Sequence, residues 1–350
     1  MHRLWLTLLV LALAGCGGGS EETSTTSAPV TTAPETQTAP AGPAIRVGLV
    51  TDIGGLDDRS FNFLANMGLE RAKEQLGVEG RVVTSRANAD YVPNLSSLAQ
   101  QGYDLVVGVG FLMAESVETV AGRFPDTSFA IIDFSQAAMP SSPANVRGLL
   151  FKEQEAGYLV GYLAGLVVAE TAGSNQTVSA VGGQKIPPVD RYIAGFEAGA
   201  KAANPRVTRL HGYSQDFVDQ ARCKEIALNQ IARGSSIVFQ VAGQCGLGAL
   251  NAAKEQNVLG IGVDADQGFL GEHVITSALK KVDVAVFQTI QAAQDGTLTG
   301  GADTVFDVAS GGVGLGEIAA SVPATVVAAV KQVQERIAAG RGPEIPETVG

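Results

Sequence analysis

The sequence predicts an α/β protein of two doubly wound lobes. From Ile45 onward, short apolar β-branched runs alternate with helix-period segments, the pattern of βαβ units around a mostly parallel sheet. The same grammar then runs a second time. Composition agrees: 43 glycines and 6% aromatic residues against 45% hydrophobic content call for Val/Ile/Leu/Ala cores joined by many tight turns. A length of 350 residues corresponds to about two domains of ordinary size.

In the first set the apolar runs IRVGLV (45–50), RVVTS (81–85), LVVGVG (105–110), SFAIID (128–133) and VRGLLF (146–151) are strands. Helix-period segments separate them at 60–76, 92–101 and 113–124, and a fourth, at 153–170, follows the last strand. Ser60 is placed to cap the first of these helices. The second set has strands at 177–183, 208–213, 236–242 and 259–264 and helices at 193–203, 219–233 and 246–255. The strand-like VITSALKK (274–281) leads into a helix at 284–295, and strands near 304–309 and 313–316 precede a last helix at 325–339.

The first residues set the compartment. His2-Arg3 and the apolar run Leu4 to Ala14 form a signal peptide over 1–15, too short to span a bilayer core of about 30 Å. It ends in Leu13-Ala14-Gly15-Cys16, which resembles the lipobox of bacterial lipoproteins, so Cys16 is expected to carry lipid and hold the chain on the extracytoplasmic face of the cell membrane. Residues 16–44 are mostly Gly, Ser, Thr, Ala and Pro and bury too little to recover ordering entropy, which makes them a disordered tether. Cys223 and Cys245 then sit in an oxidising compartment, either as a pair or as two unrelated core cysteines.

Charge and motifs exclude several classes. A net charge of −11 with no basic stretch argues against a nucleic-acid polymer as partner. His2 leaves with the signal, and His211 and His273 belong to no zinc-ligand spacing, so no metal is expected. The phosphate-loop signature is absent, and Gly108-Val109-Gly110 lacks the third glycine of a dinucleotide fingerprint, so no cofactor is expected either. Ser277 and Lys280 match Ser-x-x-Lys by chance spacing, without the companion motifs of penicillin-binding enzymes. The chain does not read as an enzyme.

Ligands of open parallel sheets sit at the carboxyl ends of the strands. Those ends carry Asp52, Gly110-Phe111, Asp133, Gly183, Gly243 and Asp264, and two such edges imply a cleft between the lobes. The stretch TDIGGLDDRSFN (51–62) places Phe61 and Asn62 in the first turn of a helix facing the strand ends.

Taken together, VGLVTDIGGLDDRSFN, IIDFS, EAGYLVGYLAG, GYSQDFVDQARCKEIA, VAGQCGLGALNAAKE, GVDADQ and TSALKKVDVAV resemble, in order and over about 45–340, the basic membrane protein (Bmp) family. These proteins are similar to the purine nucleoside receptor lipoproteins of bacterial ABC importers. The resemblance implies a type I periplasmic-binding-protein fold with a three-strand hinge, one lobe spanning 45–147 plus 279–300 and the other 149–277 plus 301–345. It implies a monomer that binds a nucleoside, purine favoured, and delivers it to an ABC permease; a sugar or an autoinducer-like ligand is the same-fold alternative. By position, Phe61 and Phe217 match the family's two stacking aromatics. Asp52, Asn62, Asp133, Gly243, Asp264 and Lys280 match its other binding positions. Two departures from the family pattern, at Cys223 and Cys245, are both cysteines, which supports a disulfide between them.

Overall fold

The computed structural model describes residues 44–350 apart from 172, 174 and 175. The signal segment, Cys16 and the tether up to residue 43 lie outside the described residues.

Strands β1 (Arg46–Val50), β2 (Glu79–Val83), β3 (Leu105–Gly108), β4 (Ser128–Ile132), β5 (Val146–Phe151) and β11 (Ala302–Phe306) form one parallel sheet in the order β11-β5-β4-β3-β1-β2. Strands β6 (Thr177–Gly182), β7 (Thr208–Tyr213), β8 (Ser235–Val241), β9 (Leu259–Asp264), β10 (Val274–Lys280) and β12 (Val313–Leu315) form a second, in the matching order β12-β10-β9-β8-β6-β7. Its edge strand β12 runs antiparallel to β10. The central strands are buried along their whole length, as β3 and β6 are, because helices cover both faces.

Helices α1 (Phe61–Leu76) and α8 (Val282–Gln294) cover one face of the first sheet, and α2 (Tyr91–Gln100) and α3 (Ala114–Arg123) the other. In the second lobe α4 (Glu153–Thr171), α5 (Pro187–Ala203) and α9 (Ala324–Ala338) lie on one face, with α6 (Gln220–Ala232) and α7 (Gly243–Glu255) opposite. The largest apolar core runs from the α1/α8 face through α4 and α5 into the second sheet. Each Leu, Val or Ile fully buried there contributes about 1.5–3 kcal/mol. The α4/α5 contact is unusually close: a Cβ on Gly161 would fall 2.0 Å from the Phe196 carbonyl oxygen. That contact explains the repeated glycines of EAGYLVGYLAG.

The chain crosses between the sheets three times, after β5, after β10 and between β11 and β12. Backbone bonds lace the crossings together: the Lys152 N–H donates to the Phe306 carbonyl at 2.9 Å and the Lys281 N–H to that of Gly312 at 2.8 Å. The Lys152 ammonium adds ion pairs to Glu155 (3.3 Å) and Asp307 (3.2 Å).

These crossings correct the expected lobe boundaries. The sequence reading assigns 301–345 to the second lobe, but β11 is the edge strand of the first sheet, paired in parallel register with β5. β5 itself stays in the first sheet to Phe151, and β10 in the second to Lys280. Helix α5 also starts six residues earlier than predicted, because Pro187 occupies its first turn, where a missing N–H costs nothing.

Candidate functional site

The carboxyl ends of the two sheets face one cleft of about 620 Å³, open mouth included. All eight residues singled out from the sequence, Asp52, Phe61, Asn62, Asp133, Phe217, Gly243, Asp264 and Lys280, line it. The first sheet and α1 supply Asp52, Phe61, Asn62 and Asp133, and the second lobe supplies the other four.

One wall is built around the start of α1. Ser60 stands at the N-cap position, as predicted, but its side chain makes no cap bond; the Asp58 carboxylate does the capping, accepting from the backbone N–H of Ser60 (3.0 Å), Asn62 (2.7 Å) and Phe63 (3.0 Å). An acidic side chain there also complements the helix dipole. The Asn62 amide is fixed at both ends, its Oδ1 accepting from the Asp52 N–H at 2.8 Å and its Nδ2 donating to Asp58 at 3.1 Å. Asp52 Oδ1 accepts from the Ile53 N–H at 2.7 Å and from the Tyr91 hydroxyl. Its other oxygen lies against Gly110, where a Cβ would come within 2.6 Å of it, so a side chain there would displace the carboxylate. Burial pushes the Asp52 carboxyl up to about 6, opposed by the Tyr91 hydrogen bond.

Lys280, the last residue of β10, supplies the positive charge at the centre. Its ammonium contacts both carboxylate oxygens of Asp133, at 2.6 and 2.7 Å, and Glu153 at 2.9 Å. It also lies 5.1 Å from the ring centre of Phe61 and 4.9 Å from that of Phe151, within cation–π range. Burial works against its charge, but Asp133, Glu153 and Asp264 outweigh it and hold Lys280 protonated. Burial raises the carboxyl groups of Asp133 and Glu153, and Lys280 limits the rise. Arg191 reaches Glu153 from α5 at 3.5 Å.

Asp133 and Asp264 occupy equivalent places, at the ends of the fourth strand of each sheet, and both have left-handed backbone, with φ of 70° and 59°. Left-handed backbone in a residue other than glycine costs energy and concentrates at functional sites. Asp264 accepts from the Tyr192 hydroxyl at 3.2 Å and, from the other lobe, from the Ser60 hydroxyl at 2.8 Å.

The two sequence-predicted aromatics come from opposite lobes. The Phe217 carbonyl accepts from the Cys245 N–H at 3.0 Å, and its ring fills the space beside Gly183, where a Cβ would fall 2.3 Å from it. The structure pairs Cys223 with Cys245, Cα atoms 5.5 Å apart, tying α6 to the first turn of α7 beside Phe217. Gly243, with φ of 55°, opens α7 at the cleft edge.

Sequence reasoning missed Asp58, Tyr91, Glu153 and Tyr192. Asp58 stood inside the motif as one of two adjacent aspartates, and the spacing of a cap carboxylate to Asn62 and Phe63 was its available signal. The other three reach the site from α2, α4 and α5 by tertiary packing alone. Ile186, Pro188 and Val189, at the start of α5, add apolar lining to the cleft. Among the described residues no group of three or more His, Cys, Asp or Glu is placed to hold a metal ion, and no helix is long and apolar enough to cross a membrane.

This geometry suits a flat, partly apolar molecule with hydroxyl or amide groups at its edges. The family model of PnrA-like ABC transporter substrate-binding proteins matches residues 45–343. An uncharacterized lipoprotein of Pyrococcus abyssi is 34% identical over 310 residues, covering 85% of this chain and 72% of that one. A Lactococcus lactis protein named as an ABC transporter nucleoside-binding protein, BmpA, is 31% identical over 329 residues, 88% of either chain. Among solved structures, a solute-binding protein of an ABC transporter system from Aeropyrum pernix K1 superposes with a TM-score of 0.78 at 29% identity, covering 85% of this chain and 92% of that one. The two-lobed α/β fold with parallel sheets is that of ABC solute-binding proteins, the type I periplasmic-binding-protein architecture. With the family model covering 45–343, nearly all of the described residues, the chain belongs to the Bmp family of PnrA-like ABC transporter substrate-binding proteins.

Proposed function

We propose that the protein captures a nucleoside, purines favoured, between its two lobes and hands it unchanged to an ABC permease, working as a monomer held to the extracytoplasmic face of the cell membrane by lipid on Cys16. The observation that carries this reading is that each lobe contributes one phenyl ring, Phe61 and Phe217, to a single cleft. A heteroaromatic base between them gains stacking of about 0.5–1.5 kcal/mol per ring pair beyond the area it buries. Neither half-site offers both faces, so binding favours the closed arrangement.

The polar groups divide accordingly. Asp264 accepts from ribose hydroxyls and Lys280 donates to the sugar, while Asp52, Asn62 and Asp133 face the edge of the base. Asp52, Asp58, Asp133 and Asp264 line the cleft against the single ammonium of Lys280, a balance that opposes a phosphate and favours nucleoside over nucleotide. No step of this cycle calls for a metal, a cofactor or a nucleophile. The nucleoside-binding name of the Lactococcus lactis relative points the same way.

The test is mass spectrometry of ligand released from protein purified without refolding. A purine nucleoside at near-stoichiometric amount is the expected result. Release of a sugar instead, with no nucleoside, would replace this reading by the sugar-receptor alternative.

A further inference from the structure

Ser60 is fully buried but does not line the cleft. Its hydroxyl lies 2.8 Å from Asp264 Oδ2 and 3.2 Å from the Val263 carbonyl oxygen, both in the second lobe, whereas Ser60 itself opens α1 in the first. A hydroxyl has one proton to give, and an ionised carboxylate is the stronger acceptor. The Asp58 carboxylate beside it takes the Ser60 backbone N–H at 3.0 Å and the first N–H groups of α1, which leaves the hydroxyl free to turn across the gap.

The backbone on both sides of this contact is left-handed: Arg59, just before Ser60, has φ of 52°, and Asp264, the partner of Ser60 across the gap, has φ of 59°. From the second lobe, the Gln267 amide reaches the Arg59 carbonyl at 3.5 Å and the Phe269 ring lies 5.8 Å from the Arg59 guanidinium carbon. Asp264 therefore has two side-chain donors of different kind. Tyr192, at 3.2 Å, belongs to its own lobe and moves with it, and Ser60 arrives from the opposite one.

We propose that Ser60 is a positioning residue of the binding site, whose hydroxyl couples closure of the two lobes to the orientation of Asp264. With the lobes apart, water replaces this bond on both partners. With the lobes together, the bond fixes Asp264 for the ligand and adds a protein–protein contact that the ligand does not supply. Because the bond forms after encounter, it governs escape and not arrival. The role of Asp264 toward a nucleoside rests on the function proposed above, but the closure part does not.

The experiment uses spin labels at the exposed positions Glu115 of α3 and Glu225 of α6, introduced as Glu115→Cys and Glu225→Cys, in otherwise wild-type, Ser60→Ala, Ser60→Thr and Tyr192→Phe proteins. Interlobe distance distributions are measured without ligand and with guanosine, and guanosine on- and off-rates are measured by stopped flow. Ser60→Ala should shift the distribution toward longer distances and raise the off-rate about tenfold, the size expected for one hydrogen bond to a charged acceptor, with the on-rate changed less than about twofold. Ser60→Thr, which keeps the hydroxyl, should restore the short-distance population, and Tyr192→Phe should leave it in place. Identical distributions for wild type and Ser60→Ala, including the case in which neither closes, overturn the proposal. If guanosine fails to bind the wild-type protein, the ligand-free distributions alone still decide the role of Ser60.

Discussion

Replacing Lys280 with methionine keeps the length of the side chain and removes the charge that two buried carboxylates share. Lys280 is 2% exposed, and the buried carboxylates of Asp133 and Glu153 lie within 2.9 Å of its ammonium. Removing one partner of a buried ion pair costs about 3–5 kcal/mol, because the remaining charge has neither water nor a counterion. Glu153 keeps Arg191 at 3.5 Å, so Asp133 bears most of the loss. The sign of the pH dependence follows from the direction of the carboxyl shifts. Burial already raises Asp133 and Glu153, and without Lys280 both rise further. A carboxyl group raised in the folded state favours folding while protonated, and that contribution is lost as pH rises through its folded value. The deficit of Lys280→Met is therefore largest at pH 8 and shrinks toward pH 5. Urea denaturation of both proteins at pH 8, 7, 6 and 5 measures it, and Asp133→Asn in the Lys280→Met background should recover part of the loss. A deficit below about 1 kcal/mol at pH 8, or one that grows on acidification, would refute the argument.

Asp52→Asn should stabilise the fold at pH 8 by up to about 3 kcal/mol, since the aspartate is ionised there against the burial that pushes its carboxyl up to about 6. The gain should fade between about pH 6 and pH 4, as the wild-type group takes up its proton, and denaturation across that window checks it. Opening the Cys223–Cys245 bond by substituting both residues with serine should cost about 3 kcal/mol in the same assay, the chain-entropy value for a loop of 22 residues, and should loosen Phe217 through the Cys245 N–H. Cys16→Ala should move the protein from washed membranes to the soluble fraction, and retention in the membranes would count against lipid attachment.

Much of this molecule is legible in its sequence because its strands are short apolar runs and its turns are glycine-rich. The boundary of α7 is harder: the sequence places its start at Gly246 and reads Gly243 as the turn after the strand, whereas Gly243 begins the helix, close to Phe217. Strand β11 was assigned to the wrong lobe because nothing in ADTVF says which of two equivalent sheets it will join, a choice made by register with β5. The cleft residues were legible where a motif carried them, as with Phe61, Asn62 and Lys280. Glu153 was invisible for the opposite reason: an acidic residue at the start of a helix is ordinary, and only the fold brings Lys280 to it. Ser60 holds the N-cap position that serine before a helix usually takes, but Asp58, two residues earlier, supplies the capping carboxylate and leaves the hydroxyl for another partner.

The most direct test of the central claim is calorimetric titration of ligand-free protein with adenosine, guanosine, inosine, uridine and ribose, repeated on Phe61→Ala and Phe217→Ala. The account predicts saturable binding of nucleosides at micromolar or tighter affinity, purines strongest, with each phenylalanine substitution costing about 1–3 kcal/mol, as expected for a base-stacking ring. Binding of ribose with no heat from any nucleoside would contradict it.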